Sequence, residues 1–251
     1  MNQHRTPRFS IIHDDDETIL AYFNCWSIVN GEEDDEYQFM LSDIQWMPCA
    51  YKASSIIGNI RLGILNYTGN KIGEYFVHLQ QRTKWRDLGK QEWMIDTVMN
   101  EEICMEELDM WDLLRDDRRI SSGMWLTFSQ HRREMWLKLV RYHSSYNDLH
   151  TDKLIYESKE PHSFKLDMHH VRDRVSFFLL LGECLNGPAG YYGIGLDSLK
   201  DCLYGGFGTV VPFTLQILHA PNKNKTLQDP FIKEFLQLID LMQNSGVEVI
   251  V

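Results

Sequence analysis

Basic charge is scarce in this chain: 25 Lys and Arg stand against 36 Asp and Glu, giving a formal net charge of −11 and a pI near 5.3. Gripping nucleic acid requires a basic footprint that displaces counterions from phosphates, so direct nucleic-acid binding is not expected. Long apolar runs are also missing. The longest, Val175 to Leu181, falls far short of the roughly 18 residues a membrane span needs, so no membrane partner is expected. Cysteine is sparse, with five residues (Cys25, Cys49, Cys104, Cys184, Cys202) at wide spacings and no C-x-x-C pair. That odd count at wide spacings fits buried free thiols in a reducing compartment. The polar start, Met1-Asn2-Gln3-His4-Arg5, leads to no apolar leader segment, and a cytoplasmic location is expected. Neither a G-x-S-x-G elbow nor a phosphate-cradling loop occurs.

What is present suffices for folded cores: 43% of the residues are hydrophobic and 12% aromatic, which excludes a mainly disordered chain. With 251 residues, two modest domains are the natural division. Strands are expected at residues 8–13, 19–29, 37–47, 59–67 and 72–80, with the turn Thr68-Gly69-Asn70-Lys71 joining the last two. The acidic cluster Gly31 to Glu36 lacks the ligand spacing of a calcium loop and is expected to be a solvated turn. From Gln91 to Arg119, Trp93, Met94, Val98, Ile103, Leu108, Trp111 and Leu114 recur among carboxylates, the pattern of an acidic amphipathic helix or helix pair. Met124–Phe128 and Met135–Tyr142 are expected to be strand-like. The polar stretch His143 to His162 is the best linker, placing a boundary near residue 158. The expectation is a strand-rich α+β domain of unknown role over residues 1–158, followed by an α/β domain over 159–251.

The second domain has the crisper order. A strand over 163–168, helices over 173–184 and 196–204, a strand over 209–218, a helix over 231–243 and a strand over 247–251 imply a three-stranded, mostly parallel sheet with helices against it. Asp229-Pro230 reads as an N-cap followed by an N1 proline.

Residues 187–205 carry the most information: Gly-Pro-Ala-Gly-Tyr-Tyr-Gly-Ile-Gly-Leu-Asp-Ser-Leu-Lys-Asp-Cys-Leu-Tyr-Gly. Leu196, Leu199 and Leu203 fall at helical intervals and are expected to pack on the sheet, leaving Asp197, Asp201 and Tyr204 on another face. Asp197 sits in the first turn, against the positive end of the helix dipole, whereas Asp201 has no such local reason. Taken alone, two aspartates on a short exposed helix are an ordinary solvated face.

The wider string, Tyr-Tyr-Gly followed by Leu-Asp-Ser-Leu-Lys-Asp-Cys-Leu, resembles the barstar family, intracellular inhibitors of barnase-type ribonucleases. The resemblance covers about residues 163–251 and implies a barstar-like fold. It also implies an immunity or antitoxin protein that plugs the active site of a toxin with an acidic helix. The implied partner is a cognate toxin of the nuclease class, secreted or delivered by contact. Carried over, the toxin-binding set is Tyr191, Tyr192, Gly193, Asp197, Lys200, Asp201 and Tyr204, with Asp240 on the third helix. Tyr191 would pack on the toxin's catalytic region, Gly193 would allow close approach, and Asp201 would be the main anchor. Ile194 and Gly195 stand where the family has Glu and Asn, and Lys200 stands where it has Trp, which implies a toxin with a less basic cleft. The first 160 residues look loosely like the extensions of larger bacterial barstar-like proteins. The alternative is a binding or scaffold module that docks a non-nuclease partner through the same helix.

No catalytic residue, cofactor or metal is expected. Gly193-Ile194-Gly195 is half of a dinucleotide fingerprint and follows a helix instead of a strand. His169-His170 are adjacent and would point apart on a strand, and Cys184 and Cys202 lie on apolar helix faces.

Overall fold

A computed structural model describes residues 6–31, 36–48, 56–84, 90–99, 103–146, 162–221 and 230–251. Residues 32–35 of the expected acidic turn, the expected boundary near 158 and the expected N-cap Asp229 lie outside them. Two compact units emerge, Met1–Asp117 and Arg118–Val251.

The first unit is an antiparallel sheet of eight strands: β1 (Phe9–His13), β2 (Ile19–Phe23), β3 (Cys25–Gly31), β4 (Glu36–Ser42), β5 (Gln45–Trp46), β6 (Ile56–Leu65), β7 (Lys71–Lys84) and β8 (Glu92–Val98). Their order is β3-β4-β8-β7-β6-β1-β2-β5. The expected strand over 19–29 is thus two strands, broken at Asn24. Because Asn24 alone separates β2 from β3, and β5 follows β4 after Asp43-Ile44, the β3–β4 and β2–β5 pairings are two halves of one bent hairpin. The strand pairings therefore form a closed ring, a barrel-like solution that leaves few edges unpaired.

Phe23, Phe39, Leu41, Ile60, Leu62, Ile64 and Val77 fill its interior, each fully buried. Trp26 meets Phe9, Phe39 and Tyr75 edge to face, with ring centroids 5.3 to 5.7 Å apart, a favoured aromatic geometry. Helix α1 (Met105–Leu114) adds Leu108, Met110, Trp111 and Leu114 to the buried set. The Trp111 indole N–H donates to the Tyr75 hydroxyl at 2.8 Å, and that hydroxyl donates to the buried Glu107 carboxylate. Burying this carboxylate without such a partner would be costly.

The helix expected across residues 91–119 is corrected for its first part. Residues 92–98 form β8, because Ile95 and Thr97 alternate inward while Met94 and Asp96 face out, a period of two that the flanking carboxylates obscure.

The second unit holds α2 (Gln130–Ser144), β9 (His162–Asp167), α3 (Arg174–Asn186), α4 (Leu196–Tyr204), β10 (Phe213–Leu218), α5 (Pro230–Asn244) and β11 (Val247–Ile250). The strands expected within 124–142 are corrected: residues 124–127 form a 3-10 turn and 130–144 form α2. Met135, Trp136, Leu139 and Val140 follow a helical period, and the Ser129 hydroxyl caps the helix by accepting from the Arg132 N–H. The expected strand over 209–218 begins only at Phe213.

β9, β10 and β11 make the expected three-stranded sheet, entirely parallel and in the order β11-β10-β9. Asp173 caps α3 through the Ser176 N–H at 2.7 Å. Phe177, Leu181, Leu215, Leu238 and Met242 form the core, all fully buried.

Gly73 on β7 lies against the Trp111 indole so closely that a Cβ there would collide with the ring. Gly73→Ala is expected to cost the first unit about 1–3 kcal/mol, the usual cost of overpacking. Native-state hydrogen exchange at the β6 and β7 amides checks this, and unchanged protection would show that the ring has room to move.

Candidate functional site

α4 is short for an independent helix, so its position is fixed by what surrounds it. Its first turn is closed by Ser198, whose hydroxyl accepts from the Ile194 N–H at 2.8 Å and the Gly195 N–H at 3.0 Å. Leu199, Cys202 and Leu203 are buried. Leu196, expected to pack inward, is 36% exposed, because position 196 precedes the buried stripe by three residues and sits at the helix mouth.

The opposite stripe is Asp197, Lys200, Asp201 and Tyr204, at i, i+3, i+4 and i+7, which places all four on one face. All are exposed, Tyr204 at 82%. None of the four side chains makes a hydrogen bond or ion pair to a described residue. Asp240 is likewise exposed, on the side of α5 turned away from Phe235, Leu238, Ile239 and Met242.

The remaining members of the expected set are buried in the segment that leads into α4. Tyr191 is 4% exposed and its ring lies 5.8 Å from Phe207; burial pushes its hydroxyl up to about 12. Tyr192 is fully buried and donates to the Thr209 carbonyl at 2.9 Å. Gly193 adopts φ +98°, and a Cβ there would press on the Leu199 backbone and the Phe178 ring at 3.0 to 3.1 Å. The Tyr-Tyr-Gly string therefore forms the base of the helix mount and offers no aromatic surface in this conformation.

Three side chains that the sequence did not single out hold that mount. Asn186, the last residue of α3, donates its amide to the Tyr191 carbonyl at 2.7 Å and the Phe207 carbonyl at 2.8 Å, and accepts from the Thr209 N–H at 3.0 Å. One side chain thus bridges the segment before α4 to the segment after it. Thr209 adds a bond from its hydroxyl to the Leu185 carbonyl at 2.7 Å. Glu183, one turn earlier on α3, accepts from the Gly123 N–H at 2.8 Å. The only signal for Asn186 in the sequence was its place before Gly187-Pro188, where an Asn ends a helix.

Neither thiol of this region is activated. Burial pushes Cys184 up to about 11 and Cys202 up to about 12, the opposite of what a nucleophile requires. His169 and His170, expected on a strand, lie in a 3-10 turn after β9 with their rings edge to face at 4.8 Å. Asp167 accepts from the His219 ring at 2.8 Å, which lowers its carboxyl below the ordinary value.

These features define a class: a small parallel α/β module that presents one short, charged, unpartnered helix on a hydrogen-bonded mount. Residues 161–249 match the family model described as Barstar (barnase inhibitor), so the carboxy-terminal part of the chain carries the family's signature. The description of that family is of an inhibitor that acts on another protein, barnase. No curated protein and no solved structure matches the chain. Among the described residues, no helix is long and apolar enough to cross a membrane.

Asn186→Ala is expected to leave the Thr209 N–H and the Tyr191 and Phe207 carbonyls without their partner, at about 1–3 kcal/mol for buried groups. Urea unfolding of the second unit, together with faster amide exchange over 187–209, would register the loss; an unchanged midpoint would rule out the bridging role.

Glu183 generates a pH signature. Burial pushes its carboxyl up, against the opposing effect of the Gly123 N–H, so the folded state favours the protonated form. The sign follows: this contribution is full below the ordinary glutamate value and is lost as pH rises through the raised folded value. In Glu183→Gln that loss disappears, so thermal unfolding of the variant falls less than the parent over the same rise in pH; parallel profiles would contradict it.

Proposed function

We propose that the chain is an intracellular immunity protein whose carboxy-terminal domain inhibits a ribonuclease toxin by inserting the exposed face of α4 into the toxin's active site. The observation that carries this reading is the stripe Asp197, Lys200, Asp201 and Tyr204. It combines two carboxylates without internal partners and one exposed ring on a helix that cannot easily shift. A ribonuclease must gather cations around a scissile phosphate, and a carboxylate held rigidly can occupy the phosphate's place through charge-assisted hydrogen bonds. Complementary charge also speeds encounter, which matters when the toxin attacks the cell's own RNA. The family match over 161–249 supports the inhibitor class.

The buried tyrosines refine the binding set. Asp197, Lys200, Asp201 and Tyr204 form the contact face, Asp240 extends it along α5 where the toxin is large enough, and Tyr191, Tyr192 and Gly193 act through the mount. A second reading is favoured by Lys200, which sits inside the acidic stripe. A cation there suits a target that supplies its own carboxylate, as a non-nuclease partner would.

A candidate nuclease encoded beside this chain supplies the test. The expected result is a tight one-to-one complex that blocks RNA cleavage and loses about 30-fold or more in affinity in Asp201→Ala. That figure corresponds to the general hot-spot threshold of about 2 kcal/mol, for which barnase–barstar is itself a standard example. Tight binding without protection of RNA would move the target to the second reading, and unchanged affinity in Asp201→Ala would remove α4 as the contact face.

A further inference from the structure

The first unit contains a cavity of about 360 Å³ at the corner where β2 passes into β3 and β4 into β5. Asn24 and Asp43 line it from the two sides of that corner, Tyr67 from the β6–β7 turn, Asp112 and Arg115 from the end of α1, and Arg8 from the entry to β1. Mouths of barrels are recurrent sites for small molecules, and the volume lies at the small end of ligand pockets.

Its charges are unevenly matched. Asp112 is shared between two guanidinium groups: Oδ2 accepts from Arg8 Nη2 at 2.6 Å and Oδ1 from Arg115 Nη1 at 3.3 Å. Arg115, 4% exposed, also donates from Nε to the Leu65 carbonyl and from Nη2 to the Pro7 carbonyl, and its guanidinium lies 4.9 Å over the Tyr67 ring. Burial lowers its basicity, and the neighbouring Arg8 cation lowers it further. The Arg8 Nε–H is buried, with no hydrogen-bond partner among the described residues, and is closed to a molecule in the cavity. Two cations against one shared carboxylate leave this end net positive, and the Arg8 side chain, 34% exposed and bonded through Nη2 to Asp112, has room at its guanidinium edge for one more anionic oxygen. Across the corner the balance reverses: Asp43 is exposed, and among the described residues its Oδ2 accepts only from the neutral Asn24 amide, at 2.6 Å.

We infer that this cavity binds a small zwitterion of the free amino acid type, its carboxylate accepting from Arg8 and its ammonium facing Asp43. A bare anion would satisfy the arginine end and be repelled by the other. A polyphosphate would meet two carboxylates. The site is built wholly from residues of the first unit and does not depend on the inhibitor reading.

Cys25 lines the same cavity and is exposed, which supplies a local probe. The full chain is treated with iodoacetamide in the presence of each of the twenty free amino acids, acetate or inorganic phosphate, and labelling is read by mass spectrometry with Cys104 as the internal reference. At least one amino acid is expected to slow labelling of Cys25 saturably, with no effect at Cys104. Asp43→Asn keeps the shape and the Asn24 bond, and it is expected to weaken that protection about tenfold, as for the loss of a hydrogen bond to a charged group. Circular dichroism shows whether the variant is folded. If it is not, the wild-type chain decides the question with the amine-free analogue of the protecting amino acid, which should protect about tenfold less. Protection by acetate or phosphate equal to that by any amino acid would make this a plain anion site and overturn the inference. Absence of protection by every amino acid would overturn it equally.

Discussion

The Asn186 side-chain amide is the contact on which the carboxy-terminal domain's exposed helix depends. Its two donated bonds and one accepted bond join the residues before α4 to those after it. A nine-residue helix has too little internal hydrogen bonding to hold an orientation by itself. With both flanks tied to the end of α3, and Leu199, Cys202 and Leu203 set into the core, α4 can present charge to a partner without reorganising. Such preorganisation is what lets a few charged side chains bind tightly, because little ordering is left to be done on association.

The same arrangement explains why the stripe tolerates two like charges four residues apart. Their mutual repulsion costs an exposed helix only about 0.2–0.5 kcal/mol, and Asp197 in the first turn recovers part of that from the helix dipole. A cation brought to this face would meet both carboxylates at once. Free of internal ion pairs, the stripe does not have to break existing contacts before it makes new ones.

Much of the second unit was legible in the sequence because its local signals agree. Asp173 caps α3, Pro230 opens α5, and the apolar strands read as members of a sheet covered by helices. The face of α4 could be read from the 3.6-residue period alone. The direction of Tyr191 and Tyr192 could not, since a tyrosine before a helix serves equally as surface anchor or as core, and only the Thr209 and Phe207 contacts, sixteen or more residues away, decide between them. The first unit was harder. Residues 92–98 became a strand because β4 and β7 pair with them on either side, a tertiary effect that overrides the local spacing of Trp93, Met94 and Val98. Closure of the ring through Asn24 and Asp43 was likewise invisible, because it depends on which strands meet.

The central claim is that the Asp197–Tyr204 stripe is the surface a partner covers. Hydroxyl-radical footprinting of the chain alone and in complex with a binding partner tests this most directly, because Tyr204 is 82% exposed while Tyr191 and Tyr192 are already buried. The expected result is strong protection of Tyr204 in the complex, with labelling of Tyr191 and Tyr192 low in both states. Equal labelling of Tyr204 in the free and bound chain would contradict it.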